Sequence, residues 1–209
     1  MGGVLMDDQA IPPVRGWLVL LLGGPSGVGK TAVSYRLARH FGVGITEIDD
    51  FQILLERMTT PEQQPAIHFR RTHPASDQLS AAETMEQLLE LGQAMETGLE
   101  GVIANHLESS TPVVLEGDFI HPVLATQASF SGQVNGGRVR AVFLHEPDEQ
   151  QLVANYLSRE PESGPQVKRA HVSWLHGEWL RQEAERYGLP VVSARPWETV
   201  LERVIAAVS

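Results

Sequence analysis

The sequence predicts an α/β fold, a doubly wound parallel five-stranded sheet with helices on both faces, and three observations predict it. Five short apolar runs alternate with helical patterns along the 209 residues. The first run, "WLVLLLG" (17 to 23), is continuously apolar and ends in glycine, as suits a central parallel strand covered on both faces. A glycine-rich turn then leads straight into a helix. Ligands of such sheets bind at the carboxyl ends of the strands, so the turns after those ends are where chemistry belongs.

The remaining strands are expected at "GITEID" (44 to 49), "PVVLEG" (112 to 117), "RVRAVFLHE" (138 to 146) and "LPVVSA" (189 to 194). The first helix runs from Lys30 to about His40, with Val33, Leu37 and Phe41 on one stripe. Further helical patterns cover 148 to 158, 170 to 187 with Leu175, Trp179 and Leu180, and 197 to 208 with Trp197, Val200, Leu201, Val204 and Val208. Two segments break the alternation. Residues 50 to 110 hold a long helical pattern at 78 to 107, too much chain for a simple crossover, and are read as a helical substrate cap. "SREPESGPQVKRA" (158 to 170), charged and punctuated by Pro and Gly, is read as a lid. Both belong to one domain, 17 to 209, after a flexible, loosely held arm at 1 to 16.

With 42% hydrophobic and 20% charged residues the chain can bury a core. Its net charge of -10 opposes a broad electrostatic grip on nucleic acid or an anionic membrane, so neither is expected as a partner. A small molecule is, with the chain a monomer or homodimer. The absence of cysteine excludes disulfides and thiolate metal sites and agrees with a reducing cytoplasm, the expected location. No apolar run approaches the ~18 residues of a membrane span.

The turn after the first strand, "GPSGVGKT", comprises Gly24, Pro25, Ser26, Gly27, Val28, Gly29, Lys30 and Thr31 and fits G-x-x-x-x-G-K-[ST]. Its glycines let successive backbone N–H groups curl around a phosphate, and the helix start adds its positive end. Lys30 would reach the terminal phosphates of ATP and the Thr31 hydroxyl would ligate Mg2+. A glycine-rich turn that merely closes a strand–helix unit is the bland alternative.

Together "LLGGPSGVGKT", "IDDF" and "VVLEGDF" resemble the P-loop small-molecule kinases, in the branch containing 2-phosphoglycerate kinase-like and chloramphenicol phosphotransferase-like proteins. "IDDF" also resembles the D-x-F of uridine and pantothenate kinases. The resemblance implies strand order 2-3-1-4-5, an arginine-bearing lid, and ATP–Mg2+ dependent transfer of the γ-phosphoryl group to a hydroxyl. It leaves the acceptor open. A nucleotide or nucleotide-sugar kinase of the zeta-toxin kind is one alternative, and a non-catalytic NTP-binding regulatory switch is another. No N/TKxD guanine motif is present.

By the same resemblance Asp49 orients the acceptor hydroxyl and takes its proton, with helix capping or Mg2+ support as its other readings; for Asp50 capping comes first. Glu116, ending the third strand, suits a Mg2+-bound water, and Asp118 follows two residues later as a substrate-side candidate; either could instead cap a helix. In the lid, Arg159, Lys168 and Arg169 would meet charge on the transferred phosphoryl oxygens, unless they are ordinary solvated charges. Arg159 matches the family's lid-entry arginine, and Arg195 and Pro196 its nucleotide-base loop. In the cap, "HFRRTHP" (68 to 74) places Arg70 and Arg71 where they could recognise an anionic acceptor, or could simply pair with glutamates of the long helix.

Overall fold

In the computed structural model residues 15–209 are described; most of the expected arm, 1 to 14, lies outside the described residues. The chain runs β1 (Val19–Gly23), α1 (Lys30–Phe41), β2 (Gly44–Glu47), α2 (Ile48–Met58), α3 (Phe69–Thr72), α4 (Ala81–Ser109) and β3 (Val113–Gly117). It continues through a hairpin of β4 (Ser129–Phe130) and β5 (Gln133–Val134), then β6 (Val139–His145), α5 (Glu149–Arg159), α6 (Val167–Arg186), β7 (Val191–Ser193) and α7 (Val200–Val208). The main sheet has five strands in the order β2-β3-β1-β6-β7, and every pairing in it is parallel. This is the expected order, with the small hairpin inserted before the fourth sheet strand.

Apolar residues on β1 serve two cores because successive side chains of a strand point to opposite faces. Val19 and Leu21 pack with Met95, Leu99 and Ile103 of α4 and Leu180 of α6. Leu20 and Leu22 pack on the other side with Val33 and Leu37 of α1 and Val200 and Val204 of α7. All four β1 residues are fully buried, which is why the run reads as continuously apolar.

Several element bounds differ from the sequence reading. The strand expected at 44 to 49 stops at Glu47, and Asp49 and Asp50 lie in the first turn of α2, where two acids suit the positive helix end. The long helix starts at Ala81, set by a capping box in which Ser80 accepts from the Glu83 amide and the Glu83 carboxylate accepts from the Ser80 amide. The segment 158 to 170 is mostly helical. Arg159 closes α5, Pro161–Ser163 form a short 3-10 turn, and Lys168 and Arg169 belong to the first turn of α6. "HFRRTHP" contains α3.

Candidate active site

The site begins where β1 ends. Gly27 (φ 81°) and Gly29 (φ 97°) take left-handed backbone conformations that let the loop curl back over the strand. Neither has room for a side chain. A Cβ at Gly29 would stand 2.5 Å from the Trp197 ring, and one at Gly27 3.0 Å from the Tyr156 ring. The loop is also fastened from outside, because Asn155 Nδ2 donates to the Gly27 carbonyl at 2.9 Å.

Lys30 opens α1 and is almost wholly buried. Its Nζ donates to the Pro25 carbonyl at 3.1 Å and forms a close ion pair with Asp118. Burial works against its charge, but Asp118, Glu116 and Asp49 together outweigh that and hold its pKa above the ordinary lysine value. Thr31 Oγ1 donates to Glu116 Oε1 at 2.7 Å. Register places Glu116 there, since it pairs with Leu22 of β1 on one side and Glu47 of β2 on the other. The Glu116 carboxyl is pushed above the usual carboxylate range by burial, with Lys30 and the Thr31 hydroxyl pulling it back.

Asp49 shares a cavity with Ser26 and Asp118. Its carboxyl is also raised, first by the surrounding protein and then by the Asp118 charge, against the pull of Lys30. A carboxylate so raised is a stronger proton acceptor than an ordinary aspartate. Asp50 lies one position further along α2; both aspartates are exposed, but Asp50 does not line the cavity, and the N-cap of that helix is Glu47.

The cavity measures about 940 Å³. Its walls come from the 50–110 segment (Gln52, Phe69, Arg70, Leu88), the glycine-rich turn and the residues after β3 (Ser26, Asp118, Phe119), and α5, α6 and the turn between them (Tyr156, Gln166, Lys168, Arg169). The 50–110 segment touches α6 through Lys168, whose Nζ donates to the Asp77 carbonyl at 2.6 Å. Arg159 pairs with Glu160 at 2.8 Å and lies over the Tyr156 ring. Arg71 is exposed and away from the cavity, and among the described residues neither Arg70 nor Arg71 forms an ion pair with the long helix. Arg195 reaches Glu146 and Asn155, each at 3.2 Å, and so is tied through Asn155 to the phosphate loop. The Pro196 carbonyl accepts from Arg203 at 2.8 Å.

Asn155 and Tyr156 escape the sequence reading. They sit in the amphipathic pattern of α5 without a motif of their own, and only the packing of α5 on the loop gives them a role.

No family model matches the chain. A 2-phosphoglycerate kinase from Pyrococcus horikoshii is 23% identical over 198 residues, covering 90% of this chain and 63% of that protein. A second, from Pyrococcus furiosus, is 28% identical over 110 residues, covering 50% of this chain and 36% of the other. The chain thus spans less than two thirds of the length of these curated relatives. Among solved structures, TT1252 from Thermus thermophilus superposes with a TM-score of 0.55 at 16% identity, covering 92% of this chain and 96% of that one. The chain shares the α/β fold of that structure. Within that fold the glycine-rich turn, Glu116 of β3, Asp118 just after it and Asp49 converge on the carboxyl edge of the sheet, where doubly wound proteins hold their ligands.

Proposed function

We propose that the protein is an ATP–Mg2+ dependent phosphotransferase that moves the γ-phosphoryl group to a hydroxyl of a small, anionic molecule. One observation carries this reading: Ser26 of the phosphate loop, Asp118, Asp49 and the cationic side chains Arg70, Lys168 and Arg169 face one cavity. A nucleotide-binding switch needs the loop but has no use for a raised carboxylate beside it.

In this reading the loop amides and Lys30 hold the phosphates, with Lys30 exchanging Asp118 for phosphate oxygen. The donor set at Thr31 and Glu116 fits Mg2+, since a hydroxyl and a carboxylate 2.7 Å apart are hard oxygen ligands beside the phosphate loop. Bound there, the ion would neutralise charge on the phosphate oxygens. Asp49 orients the acceptor hydroxyl and accepts its proton late in a loose transition state, while Arg159 and Arg169 face the charge on the transferred group. Arg70 and Lys168 provide the attraction for an anionic acceptor. Arg195 and Pro196 flank the place for the nucleotide base.

The relatives' name makes 2-phosphoglycerate the first acceptor to try, alongside other hydroxy acids, sugars, nucleosides and hydroxylated antibiotics. Mass detection of a product one phosphoryl group heavier, dependent on ATP and Mg2+ and absent with Lys30→Ala, is the expected result. Equal product from wild type and Lys30→Ala would remove the site assignment.

A further inference from the structure

The residue between α5 and the lid turn, Glu160, collects an unusual set of donors. Its Oε1 accepts from Arg159 Nε at 3.0 Å and Nη2 at 2.8 Å. Arg169 Nη1 donates to both of its oxygens, at 3.2 and 2.9 Å, and Gln166 Nε2 donates to Oε2 at 3.0 Å. Two guanidinium groups, Arg159 through two nitrogens and Arg169 through Nη1 alone, and an amide gathered around one anion resemble the donor set that a phosphate group takes.

The cradle is held against the phosphate loop by one aromatic ring. The guanidinium carbons of Arg159 and Arg169 lie 5.1 and 4.4 Å from the centroid of Tyr156. The Tyr156 hydroxyl is fixed by Ser173 Oγ at 2.7 Å, and its ring abuts Gly27 of the loop. Tyr156, Gln166 and Arg169 line the same cavity as Ser26 and Asp118.

Resting on the phosphotransferase reading, we propose that Glu160 is a built-in anion that occupies the lid's phosphate cradle and is exchanged for the terminal phosphate of the nucleotide. The ion pairs it makes are partly exposed, with Arg159 and Arg169 side chains 49% and 43% accessible, and pairs of that kind are weak and readily exchanged. A terminal phosphate has more charge and more acceptor oxygens than one carboxylate, so it displaces Glu160. A diphosphate lacks the group that reaches the cradle, and Glu160 stays in place. Glu160 is thus a positioning residue: it keeps both arginines gathered over Tyr156 and makes their engagement depend on the third phosphate.

The test is calorimetric titration of the full chain, with Mg2+, against the β,γ-imido analogue of ATP and against ADP. Glu160→Gln keeps the shape and removes the charge; Glu162→Gln, on the same turn, is the control. Glu160→Gln should tighten the ATP analogue by about three- to tenfold while ADP changes by less than about twofold, and adding Arg159→Ala should cancel the gain. Unchanged affinity for both nucleotides, or equal weakening of both with a lowered melting temperature, would make Glu160 a structural ion-pair partner and overturn the proposal. Those outcomes leave the kinase reading standing. A wild type that binds neither nucleotide would remove that reading and this inference with it.

Discussion

Asp49 shows how neighbours set the protonation of a single carboxyl. The first turn of α2 fixes its backbone, the cleft desolvates its carboxyl, and Asp118 repels its charge, so its folded pKa lies above the ordinary value of 3.8. A raised carboxyl pKa means that the folded state favours the protonated form. The associated stability is fully present below pH 3.8 and is lost as pH rises through the folded value. Asn imitates the protonated form at every pH. Asp49→Asn should therefore melt at a higher temperature than wild type at pH 7, with the two converging below about pH 4. A lower melting temperature for the variant at pH 7 would show that the Lys30 attraction outweighs the desolvation and the Asp118 repulsion.

At the scale of elements, the phosphate loop was legible because glycines at fixed offsets, between an apolar run and a helix, have few other readings. The end of β2 was not. "GITEID" has Ile45 and Ile48 on either side of two polar residues, a spacing that does not mark where a strand stops; β2 is an edge strand paired only with β3, and that pairing stops at Glu47. The acids then serve a helix start rather than a strand. The facing ends of α5 and α6 were hard to place for a related reason: Pro161 and Gly164 mark a break, yet only the short stretch between the two helices is irregular, and the basic residues Lys168 and Arg169 beyond it are helical. The loop's dependence on a neighbouring element gives a prediction. Gly29→Ala meets both a left-handed backbone and the Trp197 ring, and should cost about 1–3 kcal/mol of stability along with most of the nucleotide affinity. Thermal melts and nucleotide titration of this variant check it; wild-type values in both would mean that the loop is not held by the Trp197 segment.

Across the whole molecule, the parallel sheet follows from the strand–helix alternation and its order is the one the resemblance implied, whereas the polar interior between α4, α6 and the β3 end has no sequence signal. His176 of α6 is 1% exposed, stacks on Trp179, and is pushed down to about 4 by burial, with Asp118 opposing and His121 and Lys30 adding to the shift. Between about pH 4 and 6.5 it is neutral in the folded state and protonated in the unfolded one, so the stability tied to its neutral form is fully present above 6.5. That contribution, on the order of 3 kcal/mol, is lost as pH falls toward about 4. Melting temperature should decline across this window, and the His176 ring resonance in wild-type NMR spectra should show no protonation until near pH 4. A ring that titrates near 6.5 would contradict the buried placement.

The proposed reaction requires that Asp49 meet an acceptor at the nucleotide's terminal phosphate. The most direct test compares binding with transfer in Asp49→Asn, using ATP–Mg2+ and whichever acceptor gives product with wild type. The account predicts ATP–Mg2+ affinity within a few-fold of wild type and transfer reduced by roughly 100-fold or more, with Asp50→Asn much milder. Transfer at the wild-type rate in Asp49→Asn, or a loss confined to Asp50→Asn, would contradict it.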